Sequence, residues 1–360
     1  MAFTHAARQD SSAEKRSRPS DSAPAKRRWR PPFPPGLDDE ARILNARKIE
    51  ALDRAWPSRA ATAGDTGTEP SRSAVLDSAI KNYLFALKFQ NKNEKSDNEW
   101  CEFQIGWVYC VGKNDYQKGL QYLQKGWDVK EKGDWGRPYM VGHIFLSIGD
   151  YEKSNKYYQK SLEIDESPLC IAYYSISLVF QSRSEEALNF LDTICKEPQS
   201  KVICNQRRFY IHLIRKEFDL AEQFYTDFLN AGGTPDVNDS IWLSYLYKKT
   251  GKEQAAITLL KRCKSSLENQ TVKNSNFELY LKLSSIYAIL ENKEEALKNL
   301  TKSVDIGLQW GWQDFLEICP LFENLRNDPD FKATVHRAQN EIASIRSQVK
   351  KMEQSGETDL

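Results

Sequence analysis

The chain has 360 residues, with 51 Lys and Arg against 50 Asp and Glu, a formal net charge of +1, and 40% apolar residues. That balance excludes a nucleic-acid or acidic-membrane partner recognised by average charge alone, and the apolar fraction excludes disorder of the whole chain. No apolar run approaches the roughly 18 to 20 residues that span a bilayer, and the opening MAFTHAARQDSSAEKRSRPS lacks the apolar centre of a secretory signal, so a soluble, cytoplasmic chain is expected.

Residues 1–36 combine basic residues with prolines, which fix φ and remove backbone donors, so this stretch predicts a disordered tail. Lys26, Arg27, Arg28 and Arg30 cluster around Trp29; the cluster reads first as a solvated tail and second as a nuclear-import or phosphate-binding tag through which nucleic acid could associate. LDDEARILNARKIEALDRAW (37–56) predicts a short helix capped by Asp38, with Ile49, Leu52 and Trp56 on one face, and the remainder to residue 72 reads as linker.

From residue 73 to 309 the sequence echoes itself. The clearest copy, SIGDYEKSNKYYQKSLEID (147–165), returns as VGKNDYQKGLQYLQKGWDV (111–129), SRSEEALNFLDTI and ENKEEALKNLTKSVDIG. Aligned on the polar turn, units start near residues 100, 135, 168, 202, 237 and 277, an interval of about 34 residues with one longer gap before the last unit. Each unit holds two segments of helical periodicity around a tight turn, which predicts a repeated helix hairpin. LDSAIKNYLFALKFQ (76–90) has the pattern of a second helix alone, half a repeat.

The residues that carry the period resemble the tetratricopeptide repeat. In the second unit Val141, Gly142 and Phe145 fill the first helix, Gly149, Asp150 and Tyr151 the turn, and Ser154, Tyr158 and Ser161 the second helix. The same register places Gly106 and Gly119 in the first unit, Ser175 and Ala187 in the third, Phe209 and Ala221 in the fourth, Ser244 and Ala256 in the fifth, and Ser284 and Ala296 in the sixth. Matching is poor at Asn205 and Arg208, and the third turn, QSRS, has no glycine. The resemblance implies an all-α, right-handed solenoid whose first helices line a concave groove.

WGWQDFLEICPLFENLRNDPDFKATV (310–335) resembles the closing segment of bacterial signalling proteins built on these repeats, with Phe315, Leu316, Leu321, Phe322, Leu325 and Phe331 able to cap the open end of the core. Beyond it, Ala338, Ile342, Ile345, Val349 and Met352 follow a heptad spacing within a predicted amphipathic helix over 336–353. That helix reads either as a cap laid on the array or as a short coiled coil giving a weak homodimer through 338–352. The tail 354–360 ends in GETDL, where Thr358 and Leu360 could anchor a carboxylate-binding partner domain.

Seven scattered cysteines form no CxxC pair and no zinc-ligand spacing, so they predict buried thiols in a reducing compartment, with no metal and no cofactor. Four histidines and no phosphate-binding loop, nucleophile elbow or HExxH helix leave no enzymatic constellation, so the chain is expected not to be an enzyme. The resemblance places groove positions at Tyr139, His143, Tyr173, Gln206, Arg207, Tyr210, Trp242, Tyr245 and Lys282. Where relatives grip a terminal carboxylate with paired Lys, Asn and Arg, this chain has residues such as Gln104, Val108, Tyr139 and Met140, so an aromatic groove for a helix or an extended peptide fits better. The function this implies is a non-catalytic interaction scaffold or adaptor for a protein or peptide partner. A sensor portion of a bacterial signalling or transcription-regulation system, acting through a separate effector, is the related alternative.

Overall fold

Turn chemistry and small residues divide the sequence into helices, and the computed structural model follows that division. It describes residues 72–89, 95–126, 135–196, 200–271, 276–308, 311–358 and 360; the expected basic tail and the expected helix over 37–56 lie outside them. Among the described residues there are helices and no strand: α1 (Arg72–Phe89), α2 (Lys95–Trp107), α3 (Tyr116–Lys125), α4 (Gly136–Ser147), α5 (Tyr151–Ile164), α6 (Pro168–Phe180), α7 (Ser184–Ile194), α8 (Lys201–Ile214), α9 (Phe218–Asn230), α10 (Val237–Lys249), α11 (Glu253–Thr271), α12 (Phe277–Ile289), α13 (Lys293–Gly307), the single turn α14 (Trp312–Phe315) and α15 (Pro329–Ser355). α2/α3 through α12/α13 are six hairpins stacked as an all-α solenoid, and α1 packs on the first.

Each hairpin turns on one residue in the left-handed conformation: Asn114, Gly149, Ser182, Lys216, Gly251 and Glu291, with φ between 59° and 77°. The next amide after that residue reaches back to an orphan carbonyl of the first helix, as in Asp150 N–H to Phe145 O at 2.9 Å, Glu217 N–H to His212 O at 2.9 Å and Asn292 N–H to Tyr287 O at 2.9 Å. Only two of the six turn residues are glycine, so the satisfied carbonyls outweigh the cost of a side chain at positive φ in the other four. Asp115, Asp150 and Asn292 then cap the second helix, each accepting from the backbone three residues on at 3.2 Å.

The first hairpin carries one residue more between its paired small residues than the others do. The structure absorbs it as a π turn over Val108–Gly112, so that Asp115 N–H reaches Tyr109 O one residue further back than the equivalent bond elsewhere. This turn meets α1, where Leu76 and Ile80 bury against Val108.

Two serines explain part of the echo. Ser161 donates to Trp135 O at 2.8 Å and Ser303 donates to Phe277 O at 2.9 Å, tying the second helix of a unit to the start of its first. Ser284 donates to Ala296 O at 2.7 Å across the sixth hairpin's closest approach.

After the sixth hairpin the closing segment runs back along the array. Asp328 caps α15 by accepting from Asp330 N–H at 2.9 Å and Phe331 N–H at 3.2 Å, and Pro329 occupies the first turn, where its missing N–H costs nothing. α15 therefore starts well ahead of residue 336. Its first half lies on α13, with Lys293 paired to Asp328 and Arg337 to Asp305 at 2.8 Å. Its second half buries Ile342, Val349 and Met352 with Leu120, Leu123, Val141, Phe145 and Tyr157 of the first two hairpins. The heptad residues thus face the chain's own core. Thr358 and Leu360 follow them inside, with Lys153 donating to both Glu353 and Leu360 O.

Not all of the cysteines are the free buried thiols expected from their spacing. Cys101, Cys110, Cys170, Cys263 and Cys319 are buried free thiols, but Cys195 and Cys204 are joined in a disulfide. They belong to successive hairpins, and stacking brings their Cα atoms to 6.2 Å, a proximity that no short sequence motif announces.

A Cβ added at Gly119 would lie 2.9 Å from Cys110 N and 2.9 Å from Gly106 O, both backbone. Gly119→Ala is therefore expected to cost about 1–3 kcal/mol by forcing the first hairpin apart. Gly251→Ala, at φ 77° in open space, should cost only the backbone term of about 1 kcal/mol. Urea unfolding of the two variants measures the difference.

Candidate partner-binding face

The first helices of the hairpins bring most of the predicted groove residues into two neighbouring clusters. The first is aromatic. His143 on α4 stands edge-on to Tyr173 of α6 with ring centroids 4.6 Å apart, and Trp107 lies 5.5 Å from His143 on its other side. Tyr139, one turn before His143, approaches Tyr173 at 5.9 Å, Tyr158 at 6.1 Å and Trp135 at 6.0 Å. Tyr139 and Tyr173 remain half-buried, while His143 is 2% exposed. Burial drives the imidazole pKa down to about 3, so His143 is neutral. Burial also lifts the Tyr173 phenol to about 12, with Glu278 of α12 raising it further and Arg207 of α8 opposing.

The second cluster is polar. Asp239, 1% exposed at the start of α10, accepts from Tyr210 Oη and, at 2.8 Å, from Gln206 Nε2. Its other oxygen accepts from Asp236 N–H at 2.9 Å, and Asp236 in turn accepts from Asp239 N–H at 2.8 Å, a reciprocal cap. Asn238 donates to the same Tyr210 hydroxyl at 3.1 Å. Burial and the charge of Asp236 raise the Asp239 carboxyl pKa against these hydrogen bonds. Arg207 holds its guanidinium over the Tyr210 ring, 5.6 Å from its centre, with its Nε buried and meeting no acceptor among the described residues. Lys282 lies on α12, 3.8 Å from Glu278 one turn earlier.

Trp242 and Tyr245 are each 3% exposed. Trp242 packs 5.2 Å from Tyr210 and 6.5 Å from Phe315 of the closing segment, and Phe315 also meets Phe180 at 4.9 Å. Tyr245 donates to Glu323 at 3.4 Å, and Glu323 also pairs with Lys249 and, at 3.1 Å, with Lys216. The pair therefore sits beneath residues 311–328, whereas Tyr139, Tyr173, Arg207 and Lys282 keep part of their surface in solvent.

Sequence reasoning passed over Asp239 and Glu323. The first could have been found in PDVND (235–239), whose Asp-x-x-Asp spacing is that of a reciprocal helix cap. The second had no signal, because its partners Lys216, Tyr245 and Lys249 lie in other hairpins. Among the described residues no group of three or more His, Cys, Asp or Glu is placed to hold a metal ion, and no helix is long and apolar enough to cross a membrane.

His143 makes stability depend on pH. Its unfolded imidazole titrates near 6.5 and its folded one near 3. Between these values the unfolded chain binds a proton that the folded chain refuses, so stability is full above 6.5 and falls as the pH drops. The loss is at most about 1.4 kcal/mol per pH unit. His143→Phe should flatten the difference between urea midpoints at about pH 7 and about pH 5 relative to the parent chain.

A family model described as "Tetratricopeptide repeat" matches residues 139–168 and 277–306, the stretches that begin in α4 and α12 and run through α5 and α13. Among solved structures the chain resembles a tetratricopeptide repeat protein from Parabacteroides merdae ATCC 43184, with 14% identity, a TM-score of 0.45, and coverage of 83% of this chain and 98% of that one. No curated protein matches the chain. The repeat is thus recognised in the second and sixth of six hairpins stacked in order, so the chain carries tetratricopeptide repeats at residues 139–168 and 277–306.

Proposed function

We propose that the chain is a non-catalytic scaffold that holds a peptide or helix of a protein partner against its first-helix face. Tetratricopeptide repeats mediate protein–protein interaction, which supports a scaffold role. The contact surface of the proposal is Tyr139, Tyr173, Arg207 and Lys282; His143, Tyr210, Trp242 and Tyr245 form its buried support. The observation that carries the reading is Arg207, a guanidinium on a partly exposed face whose Nε meets no acceptor. A buried donor without a partner is costly, and a carbonyl or carboxylate of a bound segment would satisfy it. Tyr139 and Tyr173 supply large, stiff apolar area beside it, the usual composition of an interface anchor.

Partner capture by the full chain, compared with Arg207→Glu and Tyr173→Ala, tests this. Either substitution is expected to weaken capture by about ten-fold or more, while Lys160→Glu on the second-helix surface leaves it unchanged. Capture that survives both substitutions but is lost, in a salt-dependent way, when residues 1–36 are removed would instead assign recognition to Lys26–Arg30 and nucleic acid.

A further inference from the structure

Six of the seven cysteines are closed to solvent, and the seventh is bonded to one of them. Burial raises the thiols of Cys110, Cys170, Cys263 and Cys319, which suppresses the thiolate that would react. Cys101 is also buried. The bonded pair is asymmetric: Cys195 ends α7 and is half-buried, while Cys204 sits within the opening turns of α8 with no exposed surface. Its Cα separation of 6.2 Å lies inside the range a disulfide accepts without moving backbone.

We propose that Cys195 and Cys204 form a thiol–disulfide exchange site that reversibly staples the third hairpin to the fourth. In the closing direction the Cys195 thiolate attacks a low-molecular-weight disulfide, forms a mixed disulfide and expels one thiolate. The Cys204 thiolate then attacks Cys195 Sγ and expels the second. The small disulfide gains the two electrons that the protein loses, and the two thiol protons leave to solvent. Opening reverses these steps, with an external thiolate attacking Cys195 Sγ because that sulfur belongs to the accessible residue.

What the staple governs is α8. Across the same joint Arg208 of α8 pairs with Asp192 of α7 at 2.7 Å, and Arg215, at the far end of α8, pairs with Glu185 of α7; both carboxylates are largely exposed. Screened pairs of this kind anchor weakly. The disulfide therefore fixes the end of α8 that carries Gln206, Arg207 and Tyr210, and its reduction loosens that helix while leaving distant hairpins as they are.

The test uses the full native chain equilibrated in buffers of graded glutathione to glutathione-disulfide ratio, acid-quenched, alkylated and mapped by mass spectrometry. Cys195 and Cys204 should lose and regain their link together across the series, with the five buried thiols unmodified throughout. Hydrogen exchange of amides in 201–214 should accelerate about ten-fold on reduction, with 277–289 unchanged. In Cys204→Ser, Cys195 should be trapped as a mixed disulfide with glutathione; in Cys195→Ser, Cys204 should stay unmodified. The proposal is overturned if the two sulfurs remain unlinked in the most oxidising buffer. It is equally overturned if the link resists the most reducing one, or if exchange in 201–214 ignores the redox state. The mapping and exchange on the parent chain decide these outcomes even if a serine variant fails to fold.

Discussion

Two helices can run at close range only where the side chain between them is nearly absent, and everything else in this chain is arranged around that approach. Gly106 and Gly119 meet so tightly that no Cβ fits between their backbones, and in later hairpins Ala187, Ala221, Ala256 and Ala296 take the second-helix place with 2% exposure or less. Around these points larger residues such as Tyr158, Phe209 and Leu300 close the core. The approach sets the angle of each hairpin, and the repetition of that angle aligns the first helices on a common face.

This is why the hairpins were legible in the sequence. A small residue, a polar turn and a second small residue at fixed spacing have few structural solutions, and residues 142–154 state all three. The π turn was not legible as such, although the extra residue between Gly106 and Gly119 was its trace. The course of α15 was hidden for a different reason. Ile342, Val349 and Met352 announce an apolar stripe, but a stripe does not name the surface it will cover, and a partner chain or the first hairpin would read alike. The Cys195–Cys204 bond shares that limitation, since it depends on how two hairpins stack.

The face built by the first helices illustrates the same division between what one hairpin specifies and what the whole array decides. A groove register places Tyr139, His143, Tyr173, Arg207 and Trp242 on one side of their helices. Their exposure is set by neighbours: His143 disappears between Trp107 and Tyr173, and Trp242 goes beneath Phe315, while Tyr139 and Arg207 stay partly open. The polar centre at Asp239 follows from a helix cap that happens to open onto this face, so that a device for starting α10 also fixes the hydroxyl of Tyr210.

α15 alters the mechanical character of the array. Stacked hairpins ordinarily touch only their sequence neighbours, so such a stack can fray from either end and flex like a spring. Here one helix, about 40 Å long, rests at its start on the sixth hairpin and at its end on the first two. It acts as a strut across the stack: the curvature of the first-helix face is held at one value, and loss of either terminal hairpin removes support from the other. The contact of Lys153 with Glu353, at a sequence separation of 200, is non-local, and such a contact carries a larger loop-closure cost in folding than the local pairing inside each hairpin.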